Sequence, residues 1–141
     1  MIKFFLHFIF SIWLLILLIG CDNQVQKLPE GHEATSQTAP DSFSRAFIWT
    51  PELGGLGATV SQPYQVWIQR LQGDKQETLI MESDKTTGLK LTWVGQNVLE
   101  ICYERAQITH FRNFFVVAEQ NSPRIYKVEI VLRKVDKLSD C

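Results

Sequence analysis

Histidine and cysteine are scarce in this chain, with three of each in 141 residues. Apart from His7 and Cys21 near the N-terminus and from His32, only His110, Cys102 and Cys141 are left to serve as nucleophile, imidazole base or soft metal ligand. No closely spaced ligand pair exists, so a zinc site from Cys102, Cys141 and His110 is not expected. There is no G-x-S-x-G elbow, and no sequence signal sets a Ser or Cys beside a histidine and an orienting acid. An excess of one charge is missing too. Fourteen Lys and Arg face fifteen Asp and Glu, and the longest basic tract is Arg133-Lys134. That balance excludes the concentrated positive face that nucleic acid requires. A convincing amphipathic helix is also lacking, because no stretch sustains helical apolar spacing. The expectation is a protein with no catalytic residues, no cofactor and no metal.

What is present begins at the N-terminus. Met1-Ile2-Lys3 carries one positive charge, and Phe4–Ile19 then runs almost unbroken in apolar residues. Lys3 sets the orientation by staying on the cytoplasmic side. Sixteen residues at about 1.5 Å each cover roughly 24 Å, short of a hydrocarbon core of about 30 Å. The run has no polar face, so it is not a buried core helix. Its layout is that of an export signal. The competing reading is an uncleaved transmembrane anchor.

The four residues closing the run decide between them. Leu18-Ile19-Gly20-Cys21 resembles the lipobox of bacterial lipoproteins. The resemblance implies cleavage between Gly20 and Cys21, a diacylglycerol thioether on the Cys21 sulfur and an acylated amine. Two or more acyl chains hold a protein stably on a membrane. Asp22 resembles the retention signal that keeps enteric-type lipoproteins in the inner membrane. The chain is thus expected to divide into a signal peptide (1–20), a lipidated cysteine with a flexible tether (21–42) and a globular domain (43–141).

Loss of residues 1–20 leaves 121 residues, one domain's worth, with a net charge of −2. Asp22–Ser42 is rich in Gln, Glu, Ser, Thr, Pro and Ala and poor in large apolar residues, a composition that cannot offset its ordering entropy by burial. About twenty such residues span roughly 25 Å. His32, within this stretch, reads as a solvated loop residue.

From Phe43 the chain turns to short aromatic and β-branched runs of period two. Phe43–Thr50 is one strand. Tyr64–Leu71 and Glu77–Glu82 flank a tight turn at Gly73-Asp74, which predicts Arg70 opposite Glu77, Ile68 opposite Leu79, Val66 opposite Met81 and Trp67 against Ile80. Leu89–Val94 and Val98–Glu104 flank Gly95-Gln96-Asn97. A three-residue loop sets Trp93 opposite Leu99, Leu91 opposite Ile101 and Leu89 opposite Tyr103, gathering every apolar residue on one face. Cys102 then faces outward beside Lys90, between Glu100 and Glu104, within reach of the C-terminal segment. In an exporting compartment Cys102 and Cys141 either pair or stay as two thiols. Ala106–Val117 fits helix or strand, since Ile108, Phe111 and Phe115 have near-helical spacing. Ile125–Val135 is the last strand, with Tyr126, Val128, Ile130 and Leu132 on one face. Six to seven strands joined by short turns predict an all-β fold, a small antiparallel sandwich or open barrel.

Sites are few. Gly54-Gly55-Leu56-Gly57-Ala58-Thr59 lacks the Lys-Ser/Thr of a P-loop and has no helix after it, so it reads as a loop. Gly57–Thr59 running into Tyr64–Ile68, and Trp93–Tyr103, resemble strand-opening segments of small bacterial β domains; the resemblance covers a minority of the chain and implies no activity. Glu100 and Glu104 share one strand face. With His110 they are the only candidates for an envelope enzyme, whereas a solvated sheet face is the commoner meaning of such alternation. Phe111, Phe114 and Phe115 are read as core, with a partner-binding patch as the alternative. The function these readings favour is a membrane-tethered binding module, inhibitor- or immunity-like in layout. Its partner would be an envelope protein, a peptidoglycan-linked protein or a small ligand. A purely structural envelope role is the third reading.

Overall fold

The computed structural model describes residues 27–52, 62–118 and 125–141. The apolar run, the Leu18–Cys21 site, Asp22 and the glycine-rich stretch 54–59 lie outside those residues. Among the described residues no helix is long and apolar enough to cross a membrane. The described residues form seven strands: β1 (Gly31–Thr38), β2 (Ser44–Pro51), β3 (Tyr64–Arg70), β4 (Glu77–Trp93), β5 (Val98–Phe111), β6 (Phe114–Ala118) and β7 (Ile125–Lys134). A single 3-10 turn, Leu138–Asp140, follows.

The fold is all-β, and the strands join into one open sheet in the order β1-β2-β3-β4-β5-β7-β6. Every neighbouring pair is antiparallel except β5 and β7, which run parallel. The all-β class and the six to seven strands hold as read, in one open sheet that is antiparallel but for a single pair. The reason lies in the β5–β7 region. β6 takes the outer edge, so β7 returns between β6 and β5 and runs in the direction of β5.

The main core lies on one face of the sheet. Ala46, Ile48, Val66, Ile68, Ile80, Met81, Leu91, Leu99, Ile101, Phe115, Val128 and Ile130 form one buried cluster drawn from six strands. One sheet face can enclose such a cluster only by curling around it, and two contacts record the curl. Phe43, in the β1–β2 turn, lies 4.7 Å from the Tyr126 ring of β7. The Trp93 indole of β4 donates to the Gln37 carbonyl of β1 at 3.1 Å. On the outer face Phe47, Trp67 and Leu79 make a second, smaller cluster, with Leu28 and Trp49 packed against it.

The expected tether is shorter than composition indicated, because β1 occupies Gly31–Thr38. Its side chains are mostly exposed, as their polarity requires, and its order comes from backbone pairing with β2 from Gly31↔Pro51 to Thr38↔Arg45. A rule based on burial does not see a strand held by its ladder. A Cβ at Gly31 would lie 2.7 Å from Trp49 Nε1 and 2.8 Å from Pro51 Cα. Only glycine lets β1 start this close to β2.

The predicted register of the first hairpin holds at one pair and then slips. Val66 faces Met81, but Trp67 faces Leu79, Ile68 faces Thr78 and Gln69 faces Glu77. Ile80 is the extra residue of a β-bulge, and a six-residue loop, Leu71–Gln76, replaces the two-residue turn. The bulge puts Ile80 and Met81, consecutive in sequence, into the main core together, while Leu79 joins Trp67 on the other face. Strict alternation would have left one of them on the wrong side.

In the second hairpin Trp93↔Leu99, Leu91↔Ile101 and Leu89↔Tyr103 pair as read from sequence. Glu77–Glu82 and Leu89–Val94, expected as separate strands, are the two arms of β4. Lys85 at φ 50° and Gly88 at φ 61° flank its irregular middle and let it bend. Ala106–Val117 resolves as the end of β5, a corner at Arg112-Asn113, and β6.

Tyr126 ties β7 to the β4–β5 loop through a hydroxyl that donates to the Gln96 carbonyl at 3.2 Å. Burial, and after it the Asp41 carboxylate, push its pKa up to about 12. The neutral phenol therefore stabilises the fold fully below about pH 10, and this contribution fades as pH rises from 10 towards 12. Tyr126→Phe is expected to lose less stability than the parent between pH 8 and pH 11, read from urea midpoints. Equal losses would show that this phenol is not the group responsible.

Candidate functional site

The acid-base candidates do not meet. Glu100 and His110 are ten positions apart along β5, on the order of 30 Å at strand rise. Glu100 accepts an ion pair from Arg133 Nε at 3.0 Å, and Glu104 accepts the Leu138 amide at 3.1 Å. Both carboxylates are thus structural acceptors for the C-terminal segment. His110 pairs across the ladder with Glu82, and its Nε2 is buried without a hydrogen-bond partner among the described residues.

Those carboxylates belong to a staple. Cys102 and Cys141 are joined by a disulfide across a Cα–Cα distance of 6.1 Å. Lys90 Nζ donates to the Cys141 carbonyl at 3.0 Å, Arg133 Nη2 to the Asp140 carbonyl at 2.8 Å, and the Val135 amide to the Tyr103 carbonyl at 2.9 Å. Register sets Cys102 beside Lys90 on the outer face, as read, yet Cys102 is fully buried because the tail covers it. Glu100, Cys102 and Cys141 bring possible ligand atoms within 4.8 Å of one another. With both sulfurs spent in a disulfide, no thiolate pair is available there. His110, the third ligand weighed from sequence, lies at the far end of β5.

The three phenylalanines divide. Phe115 is core at 4% exposure, whereas Phe111 and Phe114 are 36% and 51% exposed. This corrects the reading of all three as core, and parity explains it. β6 is an edge strand with one face on the core, so Phe115 turns in while Phe114 and Val116 turn out. Ile125 and Val131 extend this outer apolar surface along β7. Lys127 Nζ stands 5.8 Å from the centroid of the Phe114 ring.

A cleft of about 540 Å³ opens beside this strand. One wall is β6, from Phe114 to Val116, and the other is the start of β4 at Thr78 with Gln76 of the loop before it. Phe111, Arg112 and Asn113 form its closed end, where the chain turns from β5 to β6. Pairing of β4 with β5 starts only at Met81↔Phe111. Beyond it the Arg112 amide donates to the Ile80 carbonyl at 2.8 Å, and the chain then leaves β4 to pair with β7. Among the described residues, Glu77–Leu79 of β4 and all of β6 therefore have a ladder partner on one side only. The cleft is a gap between two sheet edges, lined by apolar rings and polar uncharged groups around a single cation, Arg112.

From sequence, the unbroken apolar run Phe114–Ala118 carried the signal for an apolar outer surface, since an edge strand with one face on the core turns every second residue outward. Nothing local announced that β4 and β6 would diverge. Comparison of the chain with protein-family models, curated proteins and solved structures finds no match.

Proposed function

We propose that this protein is a bacterial lipoprotein, anchored through Cys21, whose exported β domain is a binding module rather than an enzyme. The observation that carries the binding role is the apolar edge strand β6 beside an open cleft. An exposed, uncharged, apolar edge invites pairing with another chain, and proteins that keep such an edge free normally blunt it with charge, proline or a bulge. The Cys102–Cys141 bridge supports the exported setting, since disulfides persist in oxidising compartments. Leu28 packs against the outer cluster, so only residues 22–27 separate the lipidated cysteine from the folded unit. Six residues reach at most about 20 Å, which holds the domain close to the lipid surface.

Cys21→Ala is expected to abolish incorporation of labelled fatty acid and to leave an unprocessed precursor in intact cells. Normal labelling and processing of that variant would refute the anchor. For the binding role, a photoreactive side chain at Phe114 is expected to give a discrete crosslinked adduct in intact cells. The same group at Ser36, on the opposite edge, serves as the reference. No adduct from Phe114, or equal diffuse labelling from both positions, would refute the module.

A further inference from the structure

We infer that the cleft between β6 and the first arm of β4 accepts an extended peptide segment of another protein, one that adds a strand to β6 and presents a carboxylate to Arg112. The inference rests on the binding-module reading and specifies its ligand.

Three features define the occupant. The two walls are strand edges, and the described residues leave the outer side of each without a ladder partner. Backbone groups in such a row are satisfied best by another extended backbone, which supplies donors and acceptors at the same spacing. The side chains beside the edge are apolar at alternate positions: Phe114 and Val116 face outward, with Lys127 above the Phe114 ring. An added strand brings its own alternate residues against them, so apolar residues at every second position fit this surface. Charge then chooses among apolar strands. Arg112 is exposed, lines the cleft, and makes no ion pair or side-chain hydrogen bond among the described residues. No acidic residue lines the cleft with it. A guanidinium fork matches a carboxylate through two parallel hydrogen bonds, so an Asp or Glu of the incoming strand completes the site.

A second copy of this chain fits less well. Pairing β6 with a second β6 sets one apolar strand, Phe114–Ala118, against another, and neither carries a carboxylate to meet Arg112.

The test uses the full chain in detergent micelles and two labelled nonapeptides. Both carry valine at alternate positions; one has aspartate and threonine between the valines, the other lysine and threonine. The aspartate peptide is expected to bind at least about tenfold more tightly than the lysine peptide by fluorescence anisotropy, the effect of one good charge pair. Arg112→Glu should reverse that preference, and Val116→Lys should weaken the aspartate peptide by a similar factor. Bound peptide should slow amide hydrogen exchange across Phe114–Ala118. Equal affinity for the two peptides, or unchanged exchange in β6, would overturn the assignment. Slowed exchange in β6 that grows with protein concentration in the absence of peptide would also overturn it, giving the edge to a second copy. If neither peptide binds while an in-cell adduct still forms at Phe114, only the ligand class fails and the binding-module reading stands.

Discussion

Cys141→Ser is expected to lower the unfolding free energy by about 4 kcal/mol, the chain-entropy contribution of closing a loop of this size. The bridge joins residues 39 positions apart and fastens the tail to the outer face of β4 and β5. Position 141 is the better one to change. Cys102 is fully buried, so a serine there would add a desolvation cost of its own. The loss is large beside the 5–15 kcal/mol that holds a typical domain together. Its effect should also be local. Without the bridge only non-covalent contacts hold the tail, among them the Val135–Tyr103, Leu138–Glu104 and Lys90–Cys141 hydrogen bonds, so amide exchange at Val135 and Leu138 should rise before the core strands respond. Urea titration of parent and variant measures the first effect, and non-reducing peptide mapping of the parent should recover Cys102 joined to Cys141. A loss below about 1 kcal/mol, or two alkylatable thiols in the parent, would show that the tail is not stapled.

Trp67→Ala is the second large effect, expected at about 3–5 kcal/mol. Trp67 is 2% exposed at the centre of the outer-face cluster with Phe47 and Leu79. Its indole donates to Gln65 Oε1 at 3.0 Å, and Gln65 Nε2 donates in turn to Glu82 Oε2 at 2.7 Å. Truncation would open a cavity and also strand a buried amide, so the cost should lie in the upper half of the range. Trp67→Phe keeps one aromatic ring while losing the donor and part of the indole volume, and should cost less than Trp67→Ala. Phe114→Ala, on the exposed edge, should change stability by no more than about 0.5 kcal/mol. That contrast separates buried core from exposed edge, although both residues are aromatic. If Trp67→Ala cost no more than Phe114→Ala, the outer cluster would not be a second core.

Legibility followed the range of the interactions involved. In the second hairpin, a one-residue slip would expose Trp93, Leu91 and Leu89 together, so alternation alone determines the register. In the first hairpin the same logic reached Val66↔Met81 and then failed. Ile80 and Met81 are both apolar, and nothing within the hairpin says that both belong to one core; only Phe115, Val128 and Ile130, arriving from distant strands, make that worthwhile. β1 escaped notice for the opposite reason. Its side chains carry no burial signal, and its order lies in hydrogen bonds to β2 that composition cannot express. Of the candidate sites, the pairing geometry of Cys102 with the tail was readable because an outward cysteine beside Lys90 follows from the hairpin register. The cleft was not readable. It depends on the corner at Arg112-Asn113, where the chain passes from its last backbone contact with β4 to the ladder that β6 makes with β7.

The sequence by itself determined the all-β class, the second hairpin and the division of apolar and polar residues along β7. Each of these is a pattern of period two, written in neighbouring residues. Its Leu18–Cys21 motif is likewise local, and rests on residues rather than on shape. Only the tertiary structure decided that seven strands make one curled mixed sheet, that the bulge at Ile80 sends two consecutive side chains inward, and that β4 and β6 part to leave a cleft. Those outcomes depend on which strands meet, a matter of contacts between residues far apart in sequence. Period-two alternation says which face of a strand is buried and never which strand lies beside it.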